Sequence, residues 1–292
     1  MLRFALPNFV ENYHINSFFH ELSKTMPSAF KTNISFYIQQ GSLPYHSWSG
    51  GVNSNVGNGV YYRNLVELQS LNFLPSRLNV ANVLLEDYDF FDCFSQTALE
   101  VFNCGSTVLE ISNMPLMDYI KSKYPHYRYV FSKQADLINE FTPELLNSIA
   151  NSGEFMLIGI PDKHTFNLEW LKKLEKKSMY EITVNPICPA NCPTHDVCLL
   201  KEHQNQLDYY GAQLTTTCQR CNHYLEIQDT LDIETILRDY KGFTYFTFNS
   251  TYVKTPQEWL DFYLNYFIKP ECLLDVNDYY ARWLKSQQQP VM

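Results

Sequence analysis

No stretch of this chain approaches 18 consecutive apolar residues, so no segment reads as a membrane-spanning helix. The opening residues, Met1-Leu-Arg-Phe-Ala-Leu-Pro-Asn, lack the long apolar run of an export signal. A basic excess is missing too: the formal net charge is −9 and the isoelectric point lies near 5.4. That balance weakens a nucleic-acid reading, which would need a local basic groove. Neither HExxH, a Walker loop nor a Ser-His-Asp order is present, so ordinary hydrolase and nucleotidase readings lack an anchor. The glycines Gly50, Gly51, Gly57 and Gly59 fall in a turn-rich stretch, 41–59, without a phosphate-loop lysine. That stretch reads as an active-site or partner loop. No low-complexity linker divides the chain. The expectation is a soluble, cytoplasmic protein whose clustered cysteines favour metal over disulfides.

What is present is a globular composition and a rhythm. Hydrophobic residues make up 45% and aromatics 15%, with 21 Tyr and 20 Phe, which excludes a disordered chain. At 292 residues roughly one large domain or two small ones is expected. A helix is predicted over 17–23 and a first strand from Ile34. A helix beginning at Tyr62 follows, then strands at 78–85, 107–111, 127–131, 155–161, 182–184 and 242–248. Helices at 92–102, 116–123, 134–140, 143–150, 168–177 and 256–267 alternate with them. Such alternation argues for parallel β/α architecture, and its repeat number suits an α/β (β/α)8 TIM-like barrel in a single domain. Residues 1–32 read as a helical lead-in, 33–285 as the barrel with a cysteine-bearing insertion at 186–225, and 286–292 as a disordered tail.

Five of the eight cysteines fall within 34 residues: Cys188, Cys192, Cys198, Cys218 and Cys221. The first two sit on a Pro-rich turn at the end of the β-branched run Ile182 to Val184. Thiolates presented in this way suit a metal or an iron–sulfur centre. Radical-SAM spacing is excluded, because the third position after Cys192 is His195 rather than cysteine. Zinc stays open, since two cysteine pairs suit a tetrahedral site and His195, His203 or His223 could replace a thiolate. Cys93, Cys104 and Cys272 read as ordinary core or surface thiols. The polar stretch from Leu199 to Tyr210 is too weakly apolar to bury itself. It is expected as a loop closed over the barrel mouth by the second cysteine pair, with Tyr209 and Tyr210 available to cover a planar substrate.

Several segments together resemble the collagenase-like peptidase family, U32. They are Arg77-Leu-Asn-Val-Ala-Asn82, Pro161-Asp-x-x-x-Phe-Asn167, Asn185-Pro-x-Cys-Pro-x-x-Cys-Pro193, Tyr240-Lys-Gly-Phe243 and the stretch Trp259 to Glu271. The resemblance spans about residues 33 to 271. It implies a TIM-like barrel whose cysteines bind an iron–sulfur cluster, a [4Fe–4S] centre, with zinc as the alternative. It also implies oxygen-independent hydroxylation of RNA or a quinone ring in some branches and peptidase activity in others. Cys188 and Cys192 map onto the family turn. Cys218 and Cys221 complete the ligand set by spacing, with Cys198 as the spare. Two departures stand out: the cysteines come as close pairs, and Phe248-Asn-Ser-Thr251 replaces the family's Gly-Arg after the late strand. A zinc-stabilised scaffold is the non-enzymatic alternative, and the substrate is not named by the sequence.

Chemistry in such barrels belongs at the C-terminal ends of strands. Glu86, Asp87, Asn113, Lys133, Asp162 and Asn185 occupy those positions. Asn113, Asp162 and Asn185 are the candidate catalytic residues.

Overall fold

The computed structural model describes residues 1–7, 12–41, 47–49, 74–103, 106–186, 192, 194–207, 230–249 and 255–287. Eight parallel strands close into a barrel: β1 (Leu2–Leu6), β2 (Ile34–Gly41), β3 (Ser76–Val80), β4 (Thr107–Ile111), β5 (Arg128–Phe131), β6 (Leu157–Gly159), β7 (Tyr180–Thr183) and β8 (Tyr245–Thr247). The predicted (β/α)8 architecture is therefore observed. Closure comes from Arg3 and Phe4 of β1 pairing with Tyr245 and Phe246 of β8. The first strand thus lies inside the stretch expected as a helical lead-in, and the barrel begins at residue 2.

Helices wrap the strands. Among the described residues they are α1 (Tyr13–Thr25), α2 (Cys93–Val101), α3 (Met114–Lys123), α4 (Pro143–Ser152), α5 (Leu168–Leu171), α6 (His195–Leu207), α7 (Ile233–Asp239), α8 (Pro256–Phe267) and α9 (Leu273–Gln287). Local chemistry sets most boundaries. Thr255 and Glu258 form a reciprocal capping box ahead of α8, with Pro256 in its first turn. Asn113 and Thr142 cap α3 and α4, and Gly153 ends α4 at φ +75°, a conformation open to glycine. Four boundaries differ from the sequence reading. Strand β3 stops at Val80 because the Asn79 and Asn82 side chains accept from the Ala81 and Leu84 amides and turn the chain. Residues 133–137 form a 3₁₀ turn rather than a helix, and α5 is a single turn. The last helix, α9, runs on to Gln287, into the stretch expected as a disordered tail.

Strand alternation sorts the side chains into two cores. Outward-facing Phe4, Leu78, Leu109, Ile158, Ile182 and Phe246 meet the helices. Phe4 is fully buried, with the rings of Phe246, Phe248, Tyr266 and Phe267 5.0–6.0 Å away. Inward-facing Ala5, Val108, Val130 and Leu157 form a smaller apolar plug with Ile38. A β-bulge in β2, opposite Phe4 and Ala5, lets both Tyr37 and Ile38 belong to this interior. Among the described residues no helix is long and apolar enough to cross a membrane.

The helix predicted from Tyr62, most of the loop 41–59, Cys104, Cys188, Tyr209, Tyr210, Cys218, Cys221, His223 and residues 288–292 lie outside the described residues.

Candidate active site

Beside the apolar plug and toward the mouth the barrel interior turns charged. Arg77 on β3 reaches across to Glu181 on β7 in a two-pronged ion pair, with Nη1 2.8 Å from Oε2 and Nη2 3.0 Å from Oε1. Tyr37 donates its hydroxyl to the same carboxylate. Arg77 Nε stands 3.6 Å from Glu110 of β4, and Ser132 donates to Glu110 at 2.8 Å. Arg77 and Glu181 are 1% and 5% exposed, so neither charge could persist without its partner. Burial alone would weaken the guanidinium charge, yet Glu181, Tyr37 and Glu110 together hold Arg77 above its ordinary range. Burial, reinforced by the Glu181 charge, drives the Tyr37 hydroxyl well above its usual value. None of these residues stands out in the sequence as a site. The signal for the network was a charged residue at an inward position of each strand, in Ser76-Arg-Leu-Asn-Val, Thr107-Val-Leu-Glu-Ile and Tyr180-Glu-Ile-Thr.

Lys133, just past the end of β5, projects into the mouth. Its ammonium donates to Asp162 at 2.6 Å and to Thr183 at 2.8 Å. Asp162 is 6% exposed and opens a short turn after β6. The approach of β5 to β6 depends on Gly159, where an added Cβ would lie 2.9 Å from Lys133 N and 3.2 Å from Lys133 Cβ. Gly159→Ala is therefore expected to push the 133 turn aside at a cost of about 1–3 kcal/mol. The urea midpoint measures it, and an unchanged midpoint would mean the two strand ends are not so closely packed.

The other candidates separate by role. Asn113 caps α3 by accepting from Leu116 N at 2.9 Å, and its amide donates to Leu85 O at 3.4 Å. Asn185 exchanges two hydrogen bonds with the Asn249 backbone, at 2.9 and 2.7 Å, and ties the end of β7 to the end of β8. Glu86 and Asp89 make a capping box around the 3₁₀ turn Asp87–Phe91. Of the residues at strand ends, Asp162 and Lys133 come together in the mouth. Cys93, read as a core or surface thiol, is exposed, as are its neighbours Phe91 and Phe94.

The polar stretch after Cys192 is a helix rather than a loop, with only His203 and Gln206 buried among its described side chains. It forms α6, which packs against the 133–137 turn after β5 and the loop after β3, and so lies over the barrel mouth. Two polar residues dock it. His203 is fully buried, with Nδ1 accepting from Val83 N at 3.1 Å, and its carbonyl accepts from Asn82 Nδ2 at 3.0 Å. That bond occupies His203 Nδ1, while His195 Nδ1 lies 2.9 Å from Asp196. On the same helix, burial raises the Glu202 carboxyl from 4.5 to about 7. The folded state thus favours the protonated form, and stability falls as pH rises from the unfolded value through the folded one. Glu202→Gln should therefore stabilise the protein by about 1–3 kcal/mol at pH 8 and leave it unchanged at pH 4. Equal melting shifts at both pH values would contradict this.

Cys192 is half-buried ahead of α6, its Sγ 3.6 Å from Thr194 Oγ1. No group of three or more metal-ligating side chains occurs among the described residues, which include only Cys192 of the four predicted ligands.

No family model matches the sequence, and no curated protein does. The fold is similar to a solved U32 peptidase. The TM-score is 0.53 at 11% identity, covering 85% of this chain and 92% of the other. At that identity the likeness is one of fold.

Proposed function

We propose that this barrel is a metalloenzyme of the U32 type, with an iron–sulfur cluster held by Cys188, Cys192, Cys218 and Cys221 beside a substrate site in the barrel mouth. The observation that carries the reading is the charged interior that runs from the middle of the barrel, at Arg77 and Glu181, to the strand ends at Lys133 and Asp162. A barrel built only for stability would fill this space with branched aliphatic side chains. Here Arg77, Glu110, Glu181, Lys133 and Asp162 occupy it instead. The cysteine turn follows β7 directly, and Cys192 leads into the helix over the mouth. Four thiolates suit an iron–sulfur cluster by donor chemistry, and a bound cluster would supply one-electron redox chemistry at the mouth. The residues of the chain would exclude water beneath α6 and orient substrate against the charged floor. Oxygen-independent hydroxylation, or another modification of RNA, a quinone or a related planar substrate, is the reaction class proposed.

Anaerobic purification followed by iron, sulfide and zinc analysis with a visible spectrum tests this. Brown protein carrying iron and sulfide supports it. Colourless protein holding one zinc contradicts the iron–sulfur reading and favours a structural zinc site.

A further inference from the structure

An ammonium group has three N–H donors. On Lys133 two of them are used, on Asp162 Oδ1 and Thr183 Oγ1. The third makes no hydrogen bond among the described residues, and the side chain keeps 25% of its exposure, toward the mouth. Thr247 of β8 is the strand-register partner of Thr183. Its Oγ1 is buried and makes no hydrogen bond among the described residues. Buried hydroxyls are normally paired. Two donors with spare capacity, Lys133 beyond β5 and Thr247 on β8, both flank Thr183 of β7 and face one interior, which suits a single oxygen acceptor.

Charge decides the kind of acceptor. Among the described residues of this charged interior two cations, Arg77 and Lys133, stand against three carboxylates, Glu110, Asp162 and Glu181, a formal balance of −1. Arg3, the second residue of β1, donates to Tyr245 at the start of β8 and makes no ion pair with these carboxylates. A phosphate or carboxylate would add negative charge to a site already negative and poorly hydrated. A neutral carbonyl oxygen uses both donors and adds none. We propose that Lys133 and Thr247 bind the carbonyl oxygen of a neutral substrate, with Asp162 and Thr183 fixing the direction of the ammonium. This rests on reading the mouth as the substrate site, and it does not depend on the metal. Polarisation of the carbonyl by a held cation is its chemical consequence.

The probe is 2-pyridone, a planar neutral compound with one ring carbonyl. Benzoate is the control, of similar size with an anionic carboxylate. Calorimetric titration of the protein as purified should give saturable 2-pyridone binding, with benzoate at least about tenfold weaker. Isotope-edited infrared spectra of carbonyl-labelled 2-pyridone should place the bound C=O stretch below its value in water. Thr247→Val should weaken binding about fivefold, the size of one neutral hydrogen bond. Lys133→Met should abolish both the binding and the infrared shift. Because Lys133→Met strips Asp162 of its partner, Thr247→Val carries the test if that variant does not fold. Three results overturn the proposal: no saturable 2-pyridone binding, benzoate binding as tight as 2-pyridone, or unchanged affinity in Thr247→Val. Iron analysis of the same samples separates the two readings. Iron-free protein that binds 2-pyridone contradicts the cluster alone, and iron-loaded protein that ignores 2-pyridone contradicts the carbonyl site alone.

Discussion

Arg77→Leu is expected to cost about 3–5 kcal/mol, enough to leave a marginally stable domain largely unfolded. The loss comes from what remains behind. Glu181 keeps its buried carboxylate and the Tyr37 hydroxyl, but it loses both prongs of the guanidinium, at 2.8 and 3.0 Å. Glu110 loses its cation as well. Leucine fills much of the volume, so a cavity is not the cause. The double variant Arg77→Leu/Glu181→Leu should therefore recover a large part of the deficit, because an apolar pair replaces an ion pair without stranding its main partner. Urea denaturation of the single and double variants measures this. A single variant within about 1 kcal/mol of the original protein would mean that the buried charges are not coupled.

Cys192→Ser should reduce metal content to background. A hydroxyl is a poor replacement for thiolate toward iron or zinc, and one missing ligand opens the site. Cys188→Ser should behave alike, while Cys93→Ser, at an exposed position at the start of α2, should retain metal. Loss of metal should leave α6 in place, because His203 and Asn82 hold it to the loop after β3 independently of any thiolate. Limited proteolysis within 195–207 should therefore be no faster in Cys192→Ser than in the original protein. Full metal content in Cys192→Ser would remove this residue from the site.

Much of the barrel was legible because strand and helix periods alternate, and α8 was read to the residue from its proline and aromatic spacing. Strand β1 was missed since five residues, Leu2 to Leu6, carry too short a pattern to register, and its pairing with β8 appears only on closure. The helix α6 was missed for a different reason. Its docking uses His203 and Gln206, buried polar residues, rather than an apolar stripe. The mouth was half legible. Asp162 and Lys133 sit at strand ends where chemistry is expected, but Asn113 and Asn185 at equivalent ends serve as a cap and a tether. Arg77 and Glu181 lie 104 residues apart, and nothing local to either announces the other.

X-ray absorption at the iron edge, on protein purified without oxygen, tests the cluster most directly. A [4Fe–4S] centre held by cysteines predicts a first shell of sulfur together with an iron–iron vector, both lost in Cys192→Ser. An oxygen or nitrogen first shell without iron–iron scattering, or protein without iron, would contradict it.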